Sequence, residues 1–287
     1  MQNTSHEARA ATGSGTVRLP EGSTYYELAG PAKGVPVVLI HGFSVPAFIW
    51  DPVFAGLAAA GFRVLRYDLY GRGASDRPRG RYDRERFDSQ LVALVEALGL
   101  GPNVDLVGLS MGGAIAVEAT DRHPNLVRKL VLMDPAGLER PSGTNVLRAP
   151  LLGELVFAVA GKPLLIRSMK HDFFRPGPMA EAMARYQDQY LAQLKTPGFL
   201  RALLSTIRHG PLEAIENAYQ RVGHQERQVL LIWGREDRTV PFALSDRVRA
   251  LMPNAIFHPV EGAGHVPHLE RPDLVNALLV DFLATHP

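Results

Sequence analysis

Residues 103–121 read NVDLVGLSMGGAIAVEATD, and this stretch decides the fold. The apolar residues at 104–107 predict a short buried strand, and the small and apolar residues at 113–119 predict a tightly packed helix. The turn between them, GLSMG at 108–112, has a glycine two positions before and two positions after a serine, so backbone segments can approach without a Cβ clash. A serine at such a corner projects its hydroxyl beyond the sheet, which makes Ser110 a candidate nucleophile.

The Gly-x-Ser-x-Gly pattern needs support from elsewhere in the chain. The sequence contains 27 glycines, so a chance match is easy to find, and strand–glycine–helix corners also serve packing alone. The Met111 amide is predicted to lie at the N-terminus of the following helix, where free donors and the helix dipole favour a developing negative charge. A catalytic interpretation therefore requires a base, an acid and a second oxyanion donor.

The composition restricts the function classes. The chain has 287 residues, of which 46% are hydrophobic and 21% are charged, as expected of a globular protein with a large core. Its 31 basic and 29 acidic residues give a formal charge of only +2, so we expect no nucleic-acid partner. Cysteine is absent, which excludes disulfides, iron–sulfur ligation and thiol chemistry.

The N-terminus and the apolar stretches indicate no targeting or membrane segment. Residues 1–15 lack a periodic apolar pattern and are predicted to form a mobile tail; they also lack the apolar region of a signal peptide. We expect a cytoplasmic protein, although the mature form of an exported protein would look the same. The most apolar window, 151–161, contains Glu154 and is far too short for an integral membrane segment.

Predicted strands and helices alternate on both sides of the serine turn. The strands are expected at 16–19, 24–28, 35–40, 62–67, 104–107, 128–133, 228–233 and 255–260. The first two form an antiparallel hairpin, and the nearly continuous apolar runs that follow are typical of parallel strands buried on both faces. The pattern predicts an α/β fold with a mostly parallel eight-stranded sheet flanked by helices.

The alternation stops between residues 138 and 225. This segment contains helical stretches separated by prolines, so it predicts a helical cap inserted into a core of residues 16–137 and 226–287. Because the cap leaves from the carboxyl end of a strand, we expect it to cover the site and to supply apolar pocket walls, although most such residues pack within a cap. The candidate walls are Leu151, Leu152, Phe157, Phe173, Phe174, Met179, Met183, Tyr186 and Tyr190.

Three further loops follow the carboxyl ends of predicted strands, where open α/β sheets bind ligands. His41-Gly42-Phe43 offers the Phe43 amide as the second oxyanion donor and leaves His41 a structural role. Asp237 is placed to orient an imidazole, although an aspartate before a helix is also a common cap. His265 follows Gly264, which gives it conformational freedom, and we prefer it as the base over its neighbour His268.

The order of these motifs resembles the α/β-hydrolase superfamily from about residue 20 to the C-terminus. The resemblance implies Ser110 as nucleophile, Asp237 as acid and His265 as base. It also implies that the amides of Phe43 and Met111 form the oxyanion hole. The matching segments are HGF at 41–43, DLYGRGASDRP at 68–78, GLSMGG at 108–113, WGREDRTVP at 233–241 and GAGHVPHLERP at 262–272.

The residue types at a few single positions distinguish the members of the superfamily that differ in activity or in the place of the acid. Similar dehalogenases and epoxide hydrolases carry aspartate where this chain has Ser110, which argues against both activities. Asp134 occupies the place where one variant carries the acid, but the sequence around Asp237 matches the usual acid loop more closely.

The resemblance implies hydrolysis of a small hydrophobic carboxylic ester through an acyl-enzyme, with no metal or organic cofactor. Three alternatives remain open. The same triad in similar proteins performs C–C bond hydrolysis of ring-fission diketones, and the same scaffold also supports cofactor-free perhydrolysis. The third alternative is a ligand receptor on a hydrolase scaffold.

Overall fold

The computed structural model describes residues 13–140, 144–174 and 180–285. In this part of the chain one sheet contains eight strands, in the spatial order β1-β2-β4-β3-β5-β6-β7-β8. The strands are β1 Gly13–Leu19, β2 Gly22–Ala29, β3 Pro36–Ile40, β4 Arg63–Tyr67, β5 Val104–Leu109, β6 Val127–Met133, β7 Val229–Gly234 and β8 Ile256–Val260. Strand β2 pairs antiparallel with β1 and β4, and all other neighbours are parallel. The predicted mostly parallel eight-stranded sheet is confirmed.

Helices flank this sheet and also form an insertion between β6 and β7. The flanking helices are α1 Asp51–Ala59, α2 Arg84–Ala97, α3 Met111–Arg122, α9 Leu244–Leu251, α10 Pro267–Glu270 and α11 Pro272–Ala284. The insertion, called the cap below, contains α4 Asn145–Arg148, α5 Leu152–His171, α6 Ala180–Gln193, α7 Phe199–His209 and α8 Glu216–Gly223. The predicted helical insertion is therefore present, and none of the described helices is long and apolar enough to span a bilayer.

Strand β1 begins earlier than the sequence predicted. Residues 1–12 of the predicted tail lie outside the described residues, whereas residues 13–15 belong to β1 and pair with residues 26–28 of β2. The sequence Gly13-Ser14-Gly15 has no apolar alternation from which a strand could be predicted. Its pairing depends on backbone hydrogen bonds to β2, which only the folded hairpin provides.

Strand β5 positions the serine turn. All six of its residues are buried, because it pairs in parallel with β3 on one side and with β6 on the other. Its one charged residue, Asp105, accepts a hydrogen bond from Nε of Arg128 at 2.9 Å, so the buried carboxylate is paired. Strand β5 is therefore a central strand, and the serine turn that follows it lies at the carboxyl ends of the parallel strands.

The two glycines of the serine turn occupy positions where no side chain fits. A Cβ on Gly108 would lie 2.4 Å from the carbonyl oxygen of Gly112. A Cβ on Gly112 would lie 2.1 Å from the carbonyl oxygen of Ile40, the last residue of β3. Both distances are far shorter than a van der Waals contact. The start of α3 is thus packed against the ends of β3 and β5 through bare backbone.

This contact predicts the effect of Gly112→Ala. The added methyl group must displace the backbone of β3 or α3, so we expect the free energy of unfolding to fall by about 1–3 kcal/mol. Gly13→Ala is the matched control, because a Cβ at Gly13 meets nothing within 4 Å. Urea unfolding followed by circular dichroism measures both variants, and equal midpoints for the two would contradict the close backbone approach.

Candidate active site

Ser110 lies between β5 and α3 in a strained conformation. Its φ of 55° and ψ of −120° fall in a region that side-chain-bearing residues rarely adopt, at a cost of about 1–3 kcal/mol. Hydrogen bonds hold the residue there: its amide donates to the carbonyl oxygen of Met133 at 2.9 Å, and its own carbonyl accepts the amides of Gly113 at 2.9 Å and Ala136 at 3.0 Å. The backbone network therefore maintains the position predicted for a nucleophile.

His265 and Asp237 are brought together from two loops. Nδ1 of His265 donates to Oδ2 of Asp237 at 2.7 Å, and Oδ1 of Asp237 accepts the amides of Thr239 at 2.7 Å and Val240 at 3.0 Å. Because Nδ1 is occupied, Nε2 is the ring nitrogen available to accept a proton. Ser110 and His265 line the same cavity of about 80 Å³. The three residues predicted to form a triad are thus close in the fold, although they are far apart in sequence.

The charge of Asp237 determines the protonation of His265. Burial alone lowers the pKa of His265, but the Asp237 charge and hydrogen bond, together with the charge of Asp172, outweigh burial and raise that pKa above its ordinary value. The carboxylate therefore favours the imidazolium form. A base with a raised pKa is stronger, which is the property required for removing a hydroxyl proton.

Asp134, the alternative acid, is held differently. It is fully buried with a φ of 44°, and its Oδ1 accepts the amide of Gly234 at 2.8 Å. Burial and the nearby charge of Asp237 raise the pKa of Asp134 well above its ordinary value. Asp134, Asp237 and His265 could together hold a metal ion, because one ligand atom from each lies within 4.8 Å of the others. Nδ1 of His265, however, is hydrogen-bonded to Asp237.

The predicted oxyanion donors lie beside Ser110. A Cβ on Gly42 would be 3.3 Å from Cβ of Ser110, so the loop that carries Phe43 packs directly on the serine. Within the described part of the chain, neither the Phe43 amide nor the Met111 amide donates a hydrogen bond to another residue. Two backbone donors at the serine thus remain available for a substrate oxygen.

His41 has a structural role in the same loop. Its Nε2 accepts the amide of Leu69 at 2.9 Å, and its Nδ1 lies 2.9 Å from the carbonyl oxygen of Gly42. Burial lowers the pKa of His41 to about 3, so the ring stays neutral. This arrangement agrees with the structural role expected from the sequence.

His268, the rival base, does not line the cavity of Ser110. Its ring lies 4.7 Å from the ring of Trp50, and its Nε2 is 3.0 Å from the carbonyl oxygen of Ile49. Burial lowers the pKa of His268 to about 3. It is a packed core residue, and the geometry favours His265 as the base.

Sequence reasoning gave no individual role to Arg72, which lies within the matching segment 68–78. The fully buried guanidinium donates to the carbonyl oxygens of Phe43 at 2.9 Å and Tyr70 at 3.0 Å, and to Oγ1 of Thr206 at 3.0 Å. Burial lowers the pKa of Arg72 to about 9. The side chain thus joins the oxyanion loop to α7 of the cap. The segment 68–78, which matched the family, was the available signal.

The cap contributes both polar and apolar side chains. Of the predicted walls, Tyr186 lines the Ser110 cavity, together with Ser168 and Asp172, which the sequence did not single out. The prediction is wrong for Leu151 and Leu152, which lie at the start of α5, are 85% and 50% exposed and line none of the cavities described here. The other predicted walls are Phe173, Phe174 and Met183 along a second groove, Phe157 and Tyr190 in buried positions, and Met179 outside the described residues.

Comparison with known proteins finds similarity over most of the chain. The sequence pattern described as "Alpha/beta hydrolase family" matches residues 37–278. The chain is 31% identical over 259 residues to the 2-hydroxymuconate semialdehyde hydrolase of Pseudomonas putida, covering 88% of each chain. It is 30% identical over 261 residues to the 2-hydroxy-6-oxo-6-phenylhexa-2,4-dienoate hydrolase of Burkholderia cepacia, again covering 88% of each. The enol-lactonase structure from Burkholderia xenovorans LB400 shares the fold, with a TM-score of 0.80 at 22% identity, over 94% of this chain and all of the other.

The Asp237–His265 contact predicts a titration that can be measured directly. Because the pKa of His265 is raised, we expect its imidazole to titrate above the ordinary value of about 6.5. Asp237→Asn removes the larger of the two charges that oppose burial, so the pKa of His265 should then fall. NMR of histidine-labelled protein follows the ring, with the exposed Asp246→Asn as control. An unchanged titration in Asp237→Asn would show that Asp237 does not control the base.

Proposed function

This chain belongs to the alpha/beta hydrolase family, and we propose that within this family it is a serine hydrolase whose Ser110 attacks a substrate carbonyl carbon. The observation that carries the proposal is the shared cavity of Ser110 and His265, with Nδ1 of His265 held 2.7 Å from Asp237. A hydroxyl, an imidazole with one free nitrogen and a buried carboxylate are the groups that nucleophilic acyl transfer requires.

In the proposed reaction, Nε2 of His265 takes the proton of the Ser110 hydroxyl as its oxygen bonds to the carbonyl carbon. Asp237 fixes the tautomer of the ring and stabilises the imidazolium. His265 then protonates the departing group as the bond to the carbonyl carbon breaks, which leaves an acyl group on Ser110. Water, deprotonated by His265, releases the acid and restores the free serine.

The negative oxygen formed during attack requires donors that are already in place. The Phe43 and Met111 amides fill this role in the proposal, each lowering the barrier by about 3 kcal/mol. Met111 is the first residue of α3, so its amide also benefits from the positive end of the helix dipole. Arg72, through its bond to the carbonyl oxygen of Phe43, keeps the loop of the first donor in position.

The relatives and the sequence-based expectation point to cleavage of different bonds. Ester hydrolysis was the first expectation, and C–C bond hydrolysis of ring-fission diketones was its alternative. Both curated relatives described above are named for hydrolysis of compounds of the ring-fission class, at 30–31% identity. We therefore place C–C bond hydrolysis first, with a ketone carbonyl as the point of attack.

Ester hydrolysis remains the second candidate because of the charge of the cavity. The name of the Burkholderia cepacia relative's substrate ends in "dienoate", which denotes a carboxylate. Among the described residues that line the Ser110 cavity, none is a lysine or an arginine, and Asp172 adds an acid. A small uncharged ester fits these surroundings more easily than an anion does.

Substitution within the proposed triad tests the reaction itself. Ser110→Ala should lower kcat by about 10⁶-fold and Asp237→Asn by about 10⁴-fold, because each removes a group that acts in the transition state. Asp134→Asn is the matched control and should change kcat little, since Nδ1 of His265 bonds to Asp237 and not to Asp134. Turnover is measured on p-nitrophenyl esters and on a chromophoric ring-fission diketone. A larger loss in Asp134→Asn than in Asp237→Asn would require the acid to be reassigned.

Comparison of kcat/KM for the two substrate classes tests which bond is cleaved. The expected result is a kcat/KM for the ring-fission diketone above that for p-nitrophenyl esters of any chain length, with Ser110→Ala inactive on both. A preference for esters would reverse the order of the two candidates. Failure of a fluorophosphonate probe to label Ser110 would instead favour a receptor.

A further inference from the structure

Asp172 is an acid of the cap that the triad mechanism does not use. It directly follows α5, is only 9% exposed, and lines the Ser110 cavity. Its carbonyl oxygen accepts the backbone amide of His265 at 2.8 Å, which attaches this point of the cap to the loop of the proposed base. A buried carboxylate at this position is costly unless it is bonded, so its remaining contacts are informative.

The carboxylate of Asp172 is fixed but not saturated. Oδ1 accepts the hydroxyl of Thr239 at 2.9 Å, and Oδ2 accepts the hydroxyl of Tyr186 at 3.3 Å. Each carboxylate oxygen has two acceptor positions, so both retain capacity for one more donor. The two hydroxyls orient the acid from opposite elements, Thr239 from the core and Tyr186 from α6. Because Asp172 lines the Ser110 cavity, its free acceptor positions lie in the wall of that cavity.

The groups that face Asp172 leave its charge only partly balanced. They are the imidazole of His265, the carboxylate of Asp237 and the hydroxyls of Thr239 and Tyr186. Burial raises the pKa of Asp172 to about 6, although the charge of His265 and the two hydrogen bonds lower it and the charge of Asp237 raises it. When His265 is neutral and ready to act as a base, the carboxylate of Asp172 makes this part of the cavity wall negatively charged and able to accept a hydrogen bond.

We propose that Asp172 is a specificity-determining residue, which accepts a hydrogen bond from an uncharged hydroxyl of the substrate and rejects a carboxylate at the same point. This inference rests on the serine-hydrolase function. A hydroxyl donates to one of the free acceptor positions, whereas a second carboxylate offers no donor and adds a like charge in a buried space.

The two proposed substrate classes each contain a member that fits. For a ring-fission diketone, the enol hydroxyl faces Asp172 and its carboxylate lies elsewhere. A groove of about 560 Å³ shares Ser168 and Thr239 with the Ser110 cavity and is also lined by Arg238, whose guanidinium is exposed. For an ester, the fitting substrate carries a hydroxyl on the acyl or alcohol part.

Matched substrates test the proposal. One series uses p-nitrophenyl esters of hexanoic acid, of ω-hydroxyhexanoic acid and of adipic acid as its half-ester. A second series keeps the hexanoyl group and varies the end of a three-carbon alcohol in the same way: methyl, hydroxyl or carboxylate. In at least one series, kcat/KM for the hydroxyl substrate should exceed that for the carboxylate by about 10-fold or more.

Asp172→Asn should remove most of this discrimination. Asparagine keeps an oxygen acceptor for one hydroxyl partner but loses the charge, so the hydroxyl-to-carboxylate ratio should fall about 10-fold or more. Asp188→Asn is the matched control, because Asp188 is an exposed acid on α6 that lines none of the cavities described above. Its ratio should equal that of the unsubstituted protein. Circular dichroism confirms that both variants are folded.

The unsubstituted protein provides a test that does not depend on the variant. The ratio of kcat/KM for the two substrates cancels the titration of His265, which both reactions share. Between about pH 5 and about pH 8 the substrate carboxylate stays ionised, because its ordinary pKa is about 4. As pH falls through the pKa of Asp172, the acid loses its charge and the ratio should decrease; as pH rises, it should increase to a plateau.

The outcomes separate this inference from the proposed function. A hydroxyl-to-carboxylate ratio near one in both series, or a ratio that Asp172→Asn leaves unchanged, would overturn the role of Asp172, and Ser110-dependent turnover in the same assays would leave the hydrolase intact. If no ester is turned over, the same end groups on a phosphonyl fluoride replace them, and the rate of Ser110 modification is the readout. An unmodified Ser110 would overturn both the function and the inference.

Discussion

The approach of two backbones at the serine turn is the constraint on which the rest of the site depends. A Cβ on Gly112 would lie 2.1 Å from the carbonyl oxygen of Ile40, so α3 can begin here only without a side chain. The contact forces Ser110 into its strained conformation at the end of β5. It also places the Met111 amide beside the loop that carries Phe43. The proposed nucleophile and the proposed oxyanion donors are thus positioned by one packing requirement at the end of the fully buried β5.

Burial distributes charge unequally among the groups around His265. Asp237 is stabilised by two amides and the imidazole, whereas Asp134 accepts the amide of Gly234 and burial raises its pKa well above its ordinary value. Neither His41 nor His268 bonds to a carboxylate in the described part of the chain; burial lowers the pKa of each ring to about 3, so both are neutral and serve packing and backbone bonds. The environment thereby assigns different roles to side chains of the same chemical type.

The cap is attached to the catalytic loops by polar contacts rather than by a continuous apolar interface alone. Glu270 accepts the amide of Phe174 in the cap at 2.8 Å and the amide of Gly264, beside His265, at 2.6 Å. Asp172 accepts the amide of His265, and Arg72 reaches Thr206. Such bonds hold the cap in one register over the cavity, which links the substrate-facing wall to the geometry of the base.

The sequence by itself determined the order of strands and helices, the position of the cap in the chain, and the identity of Ser110, Asp237 and His265 as candidates. These follow from local patterns: apolar runs, glycine spacing and loops after strands. The sequence already favoured Asp237 over Asp134 and His265 over His268, but only the tertiary structure showed the burial and the hydrogen-bond partners that distinguish the members of each pair. The tertiary structure also decided that Arg72 and Asp172 belong to the site, because their contacts join segments more than 60 residues apart in the chain, which no local pattern encodes.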